Sequence, residues 1–93
     1  MIVGYRDKKT AKIAEGGSPK GFPPDLLKRA RIMLSLLNAA HDINDLRSPP
    51  GNRLEKLSGN RAGQHSVRLN DQFRICFVWT SAGPDEVEIT DYH

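Results

Sequence analysis

Two periodicities of apolar residues divide the chain into a helical first half and a strand-like second half. Between Pro24 and Ala40, apolar residues recur every three or four positions, which predicts an amphipathic helix. The apolar stripe consists of Leu26, Ala30, Met33, Leu34 and Leu37, and Lys28, Arg29 and Arg31 lie outside it. Proline at the start of this segment is typical of a first helical turn, where its missing N–H would be unpaired anyway.

The segments on either side of this helix are shorter and less regular. Residues 7–15 (DKKTAKIAE) predict a helix that ends at Gly16-Gly17, because glycine adopts the left-handed conformation of a helix end at little cost. The first six residues, MIVGYR, predict a short strand. Residues 41–52 predict a loop with one helical turn at INDL, since the Ser-Pro-Pro-Gly that follows is unable to continue a helix.

From residue 53 onward the apolar positions alternate, which is typical of strands. Four strands are predicted, over residues 53–57, 65–69, 73–79 and 85–92. The link Asn70-Asp71-Gln72 is too short for a crossover, so the strands on either side of it must be antiparallel. The segment FRICFVW is apolar on both faces apart from Arg74, which indicates a central strand of the sheet.

The predicted fold is α+β, with two N-terminal helices packed on one face of a C-terminal antiparallel sheet and the first strand at an edge. Ninety-three residues suffice for one modest core, so we expect residues 1–93 to form a single domain. The chain has no apolar run long enough to span a bilayer, and its first residues lack the pattern of a signal peptide. The one cysteine, Cys76, has no partner for an internal disulfide and is expected to be a buried thiol. These features favour a cytoplasmic protein without membrane contacts.

The net charge of +3 is modest, but the charges are unevenly distributed. The segment 53–79 carries Arg53, Lys56, Arg61, Arg68 and Arg74 against Glu55 and Asp71. The segment 80–93 carries four acids and no lysine or arginine. A basic middle beside an acidic end favours a partner that bears phosphates, or an acidic protein. Surface charges that are solvated and unevenly distributed by chance explain the pattern equally well.

Arg74 is the one charged residue in an otherwise apolar strand, and a charge there needs a partner or an open face. Because strand residues alternate, Arg74 shares a face with Cys76 and lies beside Ser66 and Arg68 on the preceding strand. Two hypotheses follow. Arg74 either forms a structural ion pair, for instance with Asp91, or binds a phosphate, since a guanidinium matches two phosphate oxygens at once.

The last three residues, Asp91, Tyr92 and His93, combine a carboxylate, a phenol and an imidazole. Cleavage of RNA by its own 2′-hydroxyl needs a proton acceptor, a proton donor and positive charge for the phosphorane-like transition state. His93 can serve either proton role because imidazole titrates near neutral pH. Tyr92 can stack on a base, and Asp91 can orient His93 or hold Arg74. In a generic sequence, packing, capping and solvent exposure of these side chains would be the commoner outcome.

Other kinds of site receive no support from the residues. The three histidines and the cysteine lack the spacing of metal ligands, so no metal site is predicted. The sequence contains neither a Walker A loop nor a dinucleotide fingerprint, and we expect no cofactor. His41, after the long helix, and His65, at the start of a strand, are weaker functional candidates.

The stretch LRSPPGNRLEKLSGNRAGQHSVRLNDQFRICFVW, closed by EVEITDYH, resembles the HigB branch of the RelE/ParE toxin superfamily, also called plasmid maintenance killer proteins. The resemblance is strong over residues 46–93 and weaker over the helical half. It is carried by the motif Leu-x-Gly-(Asp/Asn)-Arg-x-Gly, a strand with Ser66, the run Asn70-Asp71-Gln72-aromatic-Arg74, and the final Asp91-Tyr92-His93.

This resemblance implies a RelE-like fold and the toxin of a type II toxin–antitoxin system. It implies a metal-independent endoribonuclease that cuts mRNA in the ribosomal A site and inhibits translation. The implied partner is a helix-turn-helix antitoxin of the HigA type, through which alone the toxin would reach operator DNA. The family's functional positions are occupied here by Arg74, Asp91, Tyr92 and His93. We expect the RNA to contact Arg53, Lys56, Arg61, His65 and Arg68.

The sequence also departs from some well-described members, which carry a histidine and a lysine where this chain has Glu55 and Ser58. The loss of positive charge predicts either compensation by Lys56, Arg61 or Arg68, or slower cleavage.

Three further alternatives stay open at this point. A ParE-like protein of the same fold would inhibit DNA gyrase without catalysis, although the polar chain end favours the nuclease. A ribonuclease that needs no ribosome is disfavoured, because the acid and base pair is incomplete. An antitoxin could use acidic residues to cover the basic patch formed by Arg53, Arg61, Arg68 and Arg74. It could also bind the helical side and make the complex too bulky for the A site.

Overall fold

The computed structural model describes residues 1–91, and it contains two helices followed by four strands. These are α1 (Lys8–Ala14), α2 (Pro24–Ala39), β1 (Glu55–Lys56), β2 (His65–Arg68), β3 (Arg74–Thr80) and β4 (Gly83–Thr90). Short 3₁₀ turns lie at Ile43–Arg47, Pro50–Asn52 and Gly59–Arg61. The strands form one antiparallel sheet in the order β1-β2-β3-β4. The predicted α+β arrangement of N-terminal helices and a C-terminal antiparallel meander is confirmed.

Helix α1 begins and ends as its sequence predicts. The Asp7 carboxylate accepts a hydrogen bond from the Thr10 N–H at 3.1 Å, which caps the first turn. After the helix, Gly16 has a φ of 94°, a left-handed conformation that favours glycine. Arg31 of α2 donates to the carbonyl oxygens of Gly16 and Gly17 at 3.1 and 3.0 Å. This contact satisfies backbone groups beyond the end of α1 and ties the two helices together.

Helix α2 packs its apolar stripe against one face of the sheet, called here the core face. The buried stripe consists of Leu26, Ala30, Met33, Leu34 and Leu37, as predicted. The core face contributes Val67, Ile75, Phe77, Val87 and Ile89. Burial of these apolar side chains between α2 and the sheet contributes most of the favourable free energy of folding in a domain of this size. Within residues 1–91, no helix is both long and apolar enough to cross a membrane.

The N-terminal segment lies at the outer edge of β4, as predicted, but it forms an isolated bridge and not a strand. Tyr5 pairs in parallel with Val87, and the Val87 N–H donates to the Gly4 carbonyl at 3.1 Å. Further along the same edge, the Thr10 hydroxyl accepts from the Ile89 N–H at 3.0 Å. These contacts satisfy an edge that would otherwise expose unpaired backbone groups.

All four strands differ from their predicted bounds by one or two residues at an end, and for β1 and β4 the local backbone gives the reason. β1 is shorter than predicted because Arg53 follows a 3₁₀ turn with a left-handed φ of 46°, which interrupts the extended chain. β4 starts two residues earlier than predicted because Gly83, with a φ of 129°, is part of the strand. A Cβ added there would lie 2.1 Å from the Met1 carbonyl oxygen, so this position needs glycine.

A bulge in β4 interrupts its pairing with β3. Cys76 pairs with Glu88 and Val78 with Asp85, so β4 has one residue more than β3 between these two pairs. Within this stretch Glu86 has a φ of 50°. An extra residue of this kind shifts the alternation of side chains along the bulged strand. With this register, Glu88 lies on the same face as Cys76.

Candidate active site

The sheet face opposite the core carries two rows of side chains that run across the strands. The first row consists of Glu55, Ser66, Cys76 and Glu88. The second row consists of Arg68, Arg74 and Thr90. Directly paired residues of antiparallel strands project to the same side, so these seven residues share one surface. We call this surface the polar face.

Arg74 is held on the polar face by acceptors of the protein itself. Its Nε donates to the Ser66 Oγ at 2.7 Å, and its Nη2 donates to the Arg53 carbonyl oxygen at 2.6 Å. The Nη2 also lies 3.9 Å from the Glu55 carboxylate, and 13% of the Arg74 side chain is exposed. Arg74 therefore forms an ion pair with Glu55, where the sequence suggested Asp91.

These bonds determine which edge of the Arg74 guanidinium a ligand can reach. A guanidinium has five N–H donors in a fixed planar fork. The edge formed by Nε and Nη2 faces Ser66 and the Arg53 carbonyl oxygen. With the residues that the structure describes, Nη1 makes no hydrogen bond. Nη1 is therefore the donor that a ligand could reach, which allows a narrower contact than the two-oxygen one that the sequence suggested.

Arg61 belongs to the 3₁₀ turn before β2, and its side chain extends over the polar face. Its Nη1 donates to Glu88 Oε1 at 2.8 Å and to Gln64 Oε1 at 3.1 Å. The Nε of Arg6 lies 3.9 Å from the same Glu88 oxygen. The Glu88 side chain is only 15% exposed. A partly buried carboxylate with two cations is a structural ion-pair cluster, so much of the Arg61 charge is neutralised.

Cys76 lies fully buried beneath these charged groups, as predicted for a structural thiol. Burial raises its pKa to about 11, and the Glu88 carboxylate acts in the same direction. The nearby guanidinium groups of Arg61, Arg74 and Arg6 lower the pKa, but less than burial raises it. The thiol is therefore protonated at neutral pH and is not a nucleophile.

Asp91 follows the end of β4 and accepts a hydrogen bond from Gln72 Nε2 at 3.0 Å. Thr90, the residue before it, is the paired partner of Arg74, so Asp91 lies at the Arg74 end of the sheet. The two other predicted catalytic residues, Tyr92 and His93, lie outside the described residues.

The predicted RNA-binding residues do not all lie on the polar face. Arg68 is on it, with its guanidinium paired to Asp71 of the adjacent turn. Lys56 and His65 are paired with each other and project to the opposite side of the sheet. The His65 ring stacks on Phe77 with a centroid distance of 6.3 Å.

His65 is further distinguished by its electrostatic environment. Burial lowers its pKa, and the positive charges of Lys56 and Arg47 lower it further. The imidazole is therefore neutral at pH 7 and adds no positive charge for RNA. The structure thus brings Arg68, Arg61 and Arg74 together, but not Lys56 or His65.

A groove of about 440 Å³ runs beside β1 next to Arg74 and its ion-pair partner. It is lined by Glu55, Lys56, Leu57, Ser58, Asn60 and Arg61. The groove combines exposed polar groups with the apolar side of one leucine, which suits an unpaired nucleotide. Within residues 1–91, no group of three or more His, Cys, Asp or Glu side chains could hold a metal ion.

Two participants of this site were missed by reasoning from the sequence. Ser66 was placed on the correct face but given no role, although alternation already put it beside Arg74. The Arg53 carbonyl oxygen left no signal in the sequence, because its position depends on the left-handed backbone of that residue. Glu55, which in the sequence indicates only a loss of positive charge, lies beside the Arg74 guanidinium.

Comparison with known proteins adds independent findings. The sequence matches, over residues 4–93, the family described as "RelE-like toxin of type II toxin-antitoxin system HigB". It is 38% identical over 80 residues to Toxin HigB-1 of Vibrio cholerae, across 85% of this chain and 84% of that protein. It is 26% identical over 93 residues to Endoribonuclease HigB of Proteus vulgaris, across the full length of both.

Among solved structures, the chain is similar to one in the YoeB-YefM complex from Staphylococcus aureus. The TM-score is 0.62 at 15% identity, and the match covers 100% of this chain and 98% of that one. At this identity the likeness concerns the fold, and it confirms the predicted RelE-like arrangement.

Proposed function

This chain belongs to the HigB family of RelE-like toxins from type II toxin–antitoxin systems, and we propose that it is an endoribonuclease that cuts mRNA in the ribosomal A site. One full-length relative carries the name Endoribonuclease HigB. Cleavage of mRNA during decoding inhibits translation, which is the toxic effect. The matching family and the two named relatives are HigB toxins, so they give the alternative of a ParE-like gyrase inhibitor no support.

The observation that carries the proposal is the fixed Arg74 guanidinium on the polar face, with Nη1 directed away from its protein acceptors. In the cleavage reaction the 2′-oxygen forms a bond to the adjacent phosphorus as its proton leaves. The bond from phosphorus to the 5′-oxygen then breaks as that oxygen takes up a proton. Negative charge accumulates on the phosphoryl oxygens between these events, and a positioned cation stabilises it. Arg74 supplies that cation.

Proton transfer is assigned here to residues at the end of the chain. His93 donates or accepts the proton, Tyr92 stacks on a base or positions the 2′-hydroxyl, and Asp91 orients the chain end. The Glu55 carboxylate is 54% exposed and lies beside Arg74, so it is a further group able to accept the 2′-hydroxyl proton. The proposed cleavage reaction uses no metal or cofactor.

The other predicted RNA-binding residues contribute binding along the strand of mRNA. Arg68 and the exposed Arg53 side chain contact phosphates that flank the cleaved one, and Arg61 adds to the positive potential beside the groove. Lys56, which also lines the groove, and His65 project to the other side of the sheet and contact RNA or ribosome there.

As a toxin of a type II system, the chain has a protein antitoxin as its partner. We propose that this antitoxin is a helix-turn-helix protein of the HigA type, and that the toxin reaches operator DNA only through it. The ribosome and its mRNA are the cytoplasmic targets, and residues 1–93 act as a single domain.

The test is primer extension on mRNA bound to a programmed ribosome, with and without the purified toxin. Cuts within the A-site codon that require ribosomes and disappear in Arg74→Ala are the expected result. His93→Ala and Tyr92→Ala in parallel show whether the chain end takes part. Intact mRNA with the wild-type toxin, or unchanged cutting by Arg74→Ala, would contradict the proposal.

A further inference from the structure

We propose that Ser66 is a positioning residue for Arg74, whose hydroxyl determines which edge of the guanidinium meets the scissile phosphate. This inference rests on the proposed function, because it assigns Arg74 to the phosphate. It concerns a residue that touches Arg74 and not the RNA.

The first step of the argument is the geometry around Nε. The Ser66 Oγ accepts from Arg74 Nε at 2.7 Å. The other short contact of this guanidinium is with a backbone oxygen, the Arg53 carbonyl, at 2.6 Å from Nη2. Two acceptors on adjacent donors of one planar group restrict its rotation about the last side-chain bond. Among the side chains that the structure describes, Ser66 is the one that holds Nε.

The second step is that Ser66 is itself immobile. It is fully buried in the middle of β2, where it is paired with Cys76 on one side and Glu55 on the other. A hydroxyl on a paired strand keeps its position more precisely than one on a loop. It therefore transmits the geometry of the sheet to the Arg74 guanidinium.

The third step is the consequence of losing the hydroxyl. In Ser66→Ala the Nε–H loses its hydroxyl acceptor, whereas Nη2 keeps the Arg53 carbonyl oxygen at 2.6 Å and the backbone carbonyl oxygen of residue 66 at 3.5 Å. The guanidinium is then held through Nη2 alone, so it can tilt about that contact and move Nη1 away from the phosphate. A misplacement of about 1 Å in a catalytic group can reduce the rate on the order of 10²-fold. We expect a tenfold to hundredfold loss in kcat, with little change in KM because the charge and the ribosome contacts remain.

A purely structural role for Ser66 predicts a different pattern. The buried hydroxyl of Thr10 provides the matched comparison, because it too is fully buried and accepts one hydrogen bond, from the Ile89 N–H. Thr10→Val removes that hydroxyl at the edge of β4, away from Arg74. It should lower the melting temperature and leave kcat unchanged at a temperature where the variant is folded.

The experiment measures cleavage on programmed ribosomes for the wild type, Ser66→Ala, Ser66→Thr, Arg74→Ala, the double variant Ser66→Ala/Arg74→Ala, and Thr10→Val. We expect Ser66→Thr, which keeps the hydroxyl, to cleave faster than Ser66→Ala. In the Arg74→Ala background, removal of the Ser66 hydroxyl should cause no further loss, because it acts through that arginine. If Ser66→Ala does not fold, Ser66→Cys keeps the volume with only a weak acceptor and replaces it.

A second readout is independent of catalysis. The NMR signal of the Arg74 Nε–H in the isolated toxin should be protected from exchange in the wild type and in Thr10→Val, but not in Ser66→Ala. Wild-type cleavage by Ser66→Ala together with a defective Arg74→Ala would overturn the positioning role and leave the proposed function intact. Wild-type cleavage by Arg74→Ala would overturn the proposed function itself. A further loss in the double variant would show that Ser66 acts independently of Arg74.

Discussion

The two faces of strand β3 differ in what their side chains do. On the core face, Ile75 and Phe77 are fully buried against the other apolar residues of the domain. On the polar face, Arg74 and Cys76 lie among hydrogen-bonded and charged groups. Because neighbouring residues of one strand serve opposite faces, folding and chemistry are separated by a single position in sequence. Substitutions on the two faces should therefore have separable effects on stability and on activity.

The core face should show the largest effect. Phe77→Ala removes a fully buried ring and leaves a cavity, which costs about 3–5 kcal/mol in the free energy of unfolding. Small domains have only about 5–15 kcal/mol in total, so this variant should be largely destabilised in urea unfolding. Val78→Ala, at the partly exposed neighbouring position, is the control and should cost much less. Equal losses for both would mean that the two faces do not differ as described.

On the polar face, a substitution at Arg74 should affect activity more than stability. Arg74→Ala should reduce ribosome-dependent cleavage on the order of 10²–10³-fold, the usual consequence of removing one group that stabilises a transition-state charge. Its free energy of unfolding should fall by about 1–2 kcal/mol, less than for Phe77→Ala, because the substitution removes the hydrogen bonds of a mostly buried guanidinium to Ser66 and to the Arg53 carbonyl oxygen. Arg74→Lys keeps the charge but loses the fork, so it should recover little activity. A large loss of stability without loss of cleavage would contradict the assignment of Arg74 to activity and of the core face to stability.

Glu88 tests whether the polar face contributes any stability of its own. Glu88→Gln weakens the ion pairs with Arg61 and Arg6 at a site that is mostly buried, so we expect a loss of about 1–2 kcal/mol in thermal or urea unfolding. Asp71→Asn is the matched control, because it changes a fully exposed carboxylate that pairs with the partly exposed Arg68. That variant should be indistinguishable from the wild type.

Ser58 offers a gain of function beside the groove. Ser58→Lys restores the positive charge found in some well-described relatives, and it should raise the cleavage rate by roughly threefold, as expected for one exposed charge near a phosphate. Ser81→Lys, in the exposed turn at the other end of the sheet, is the control for net charge. If both variants equal the wild type, the arginines of the polar face already provide enough charge.

The titration of Cys76 should have no effect on stability at neutral pH, and its effect should appear only in alkaline solution. Its pKa is raised from 9.0 to about 11 in the folded state, so the folded protein binds the thiol proton more tightly than the unfolded chain does. The contribution of Cys76 to stability is therefore complete below pH 9 and is lost as the pH rises from 9 to 11. The unfolding free energy of the wild type should therefore fall relative to that of Cys76→Ala as the pH rises from 9 to 11. A difference that stays constant from pH 8 to 11 would contradict the raised pKa.

Much of the fold and one central residue of the site were predictable from the sequence. The stripe of α2, the Gly16 end of α1 and the alternating strands depend on neighbours within a few positions, so local patterns are enough to predict them. Arg74 stood out for the same reason, as a charge within an apolar strand. The family resemblance then predicted the remaining site residues, and the roles of all the site residues stay predictions.

Only the tertiary structure decided which of these residues meet. The left-handed backbone at Arg53 shortens β1 and turns its carbonyl oxygen toward Arg74, and the bulge near Glu86 sets the pairing of Glu88 with Cys76. The pairing of β1 with β2 placed Lys56 on the opposite side from Arg74, although both belong to one basic segment of the sequence. Periodicity along a strand is a local property, whereas register and the choice of face depend on hydrogen bonds between distant segments.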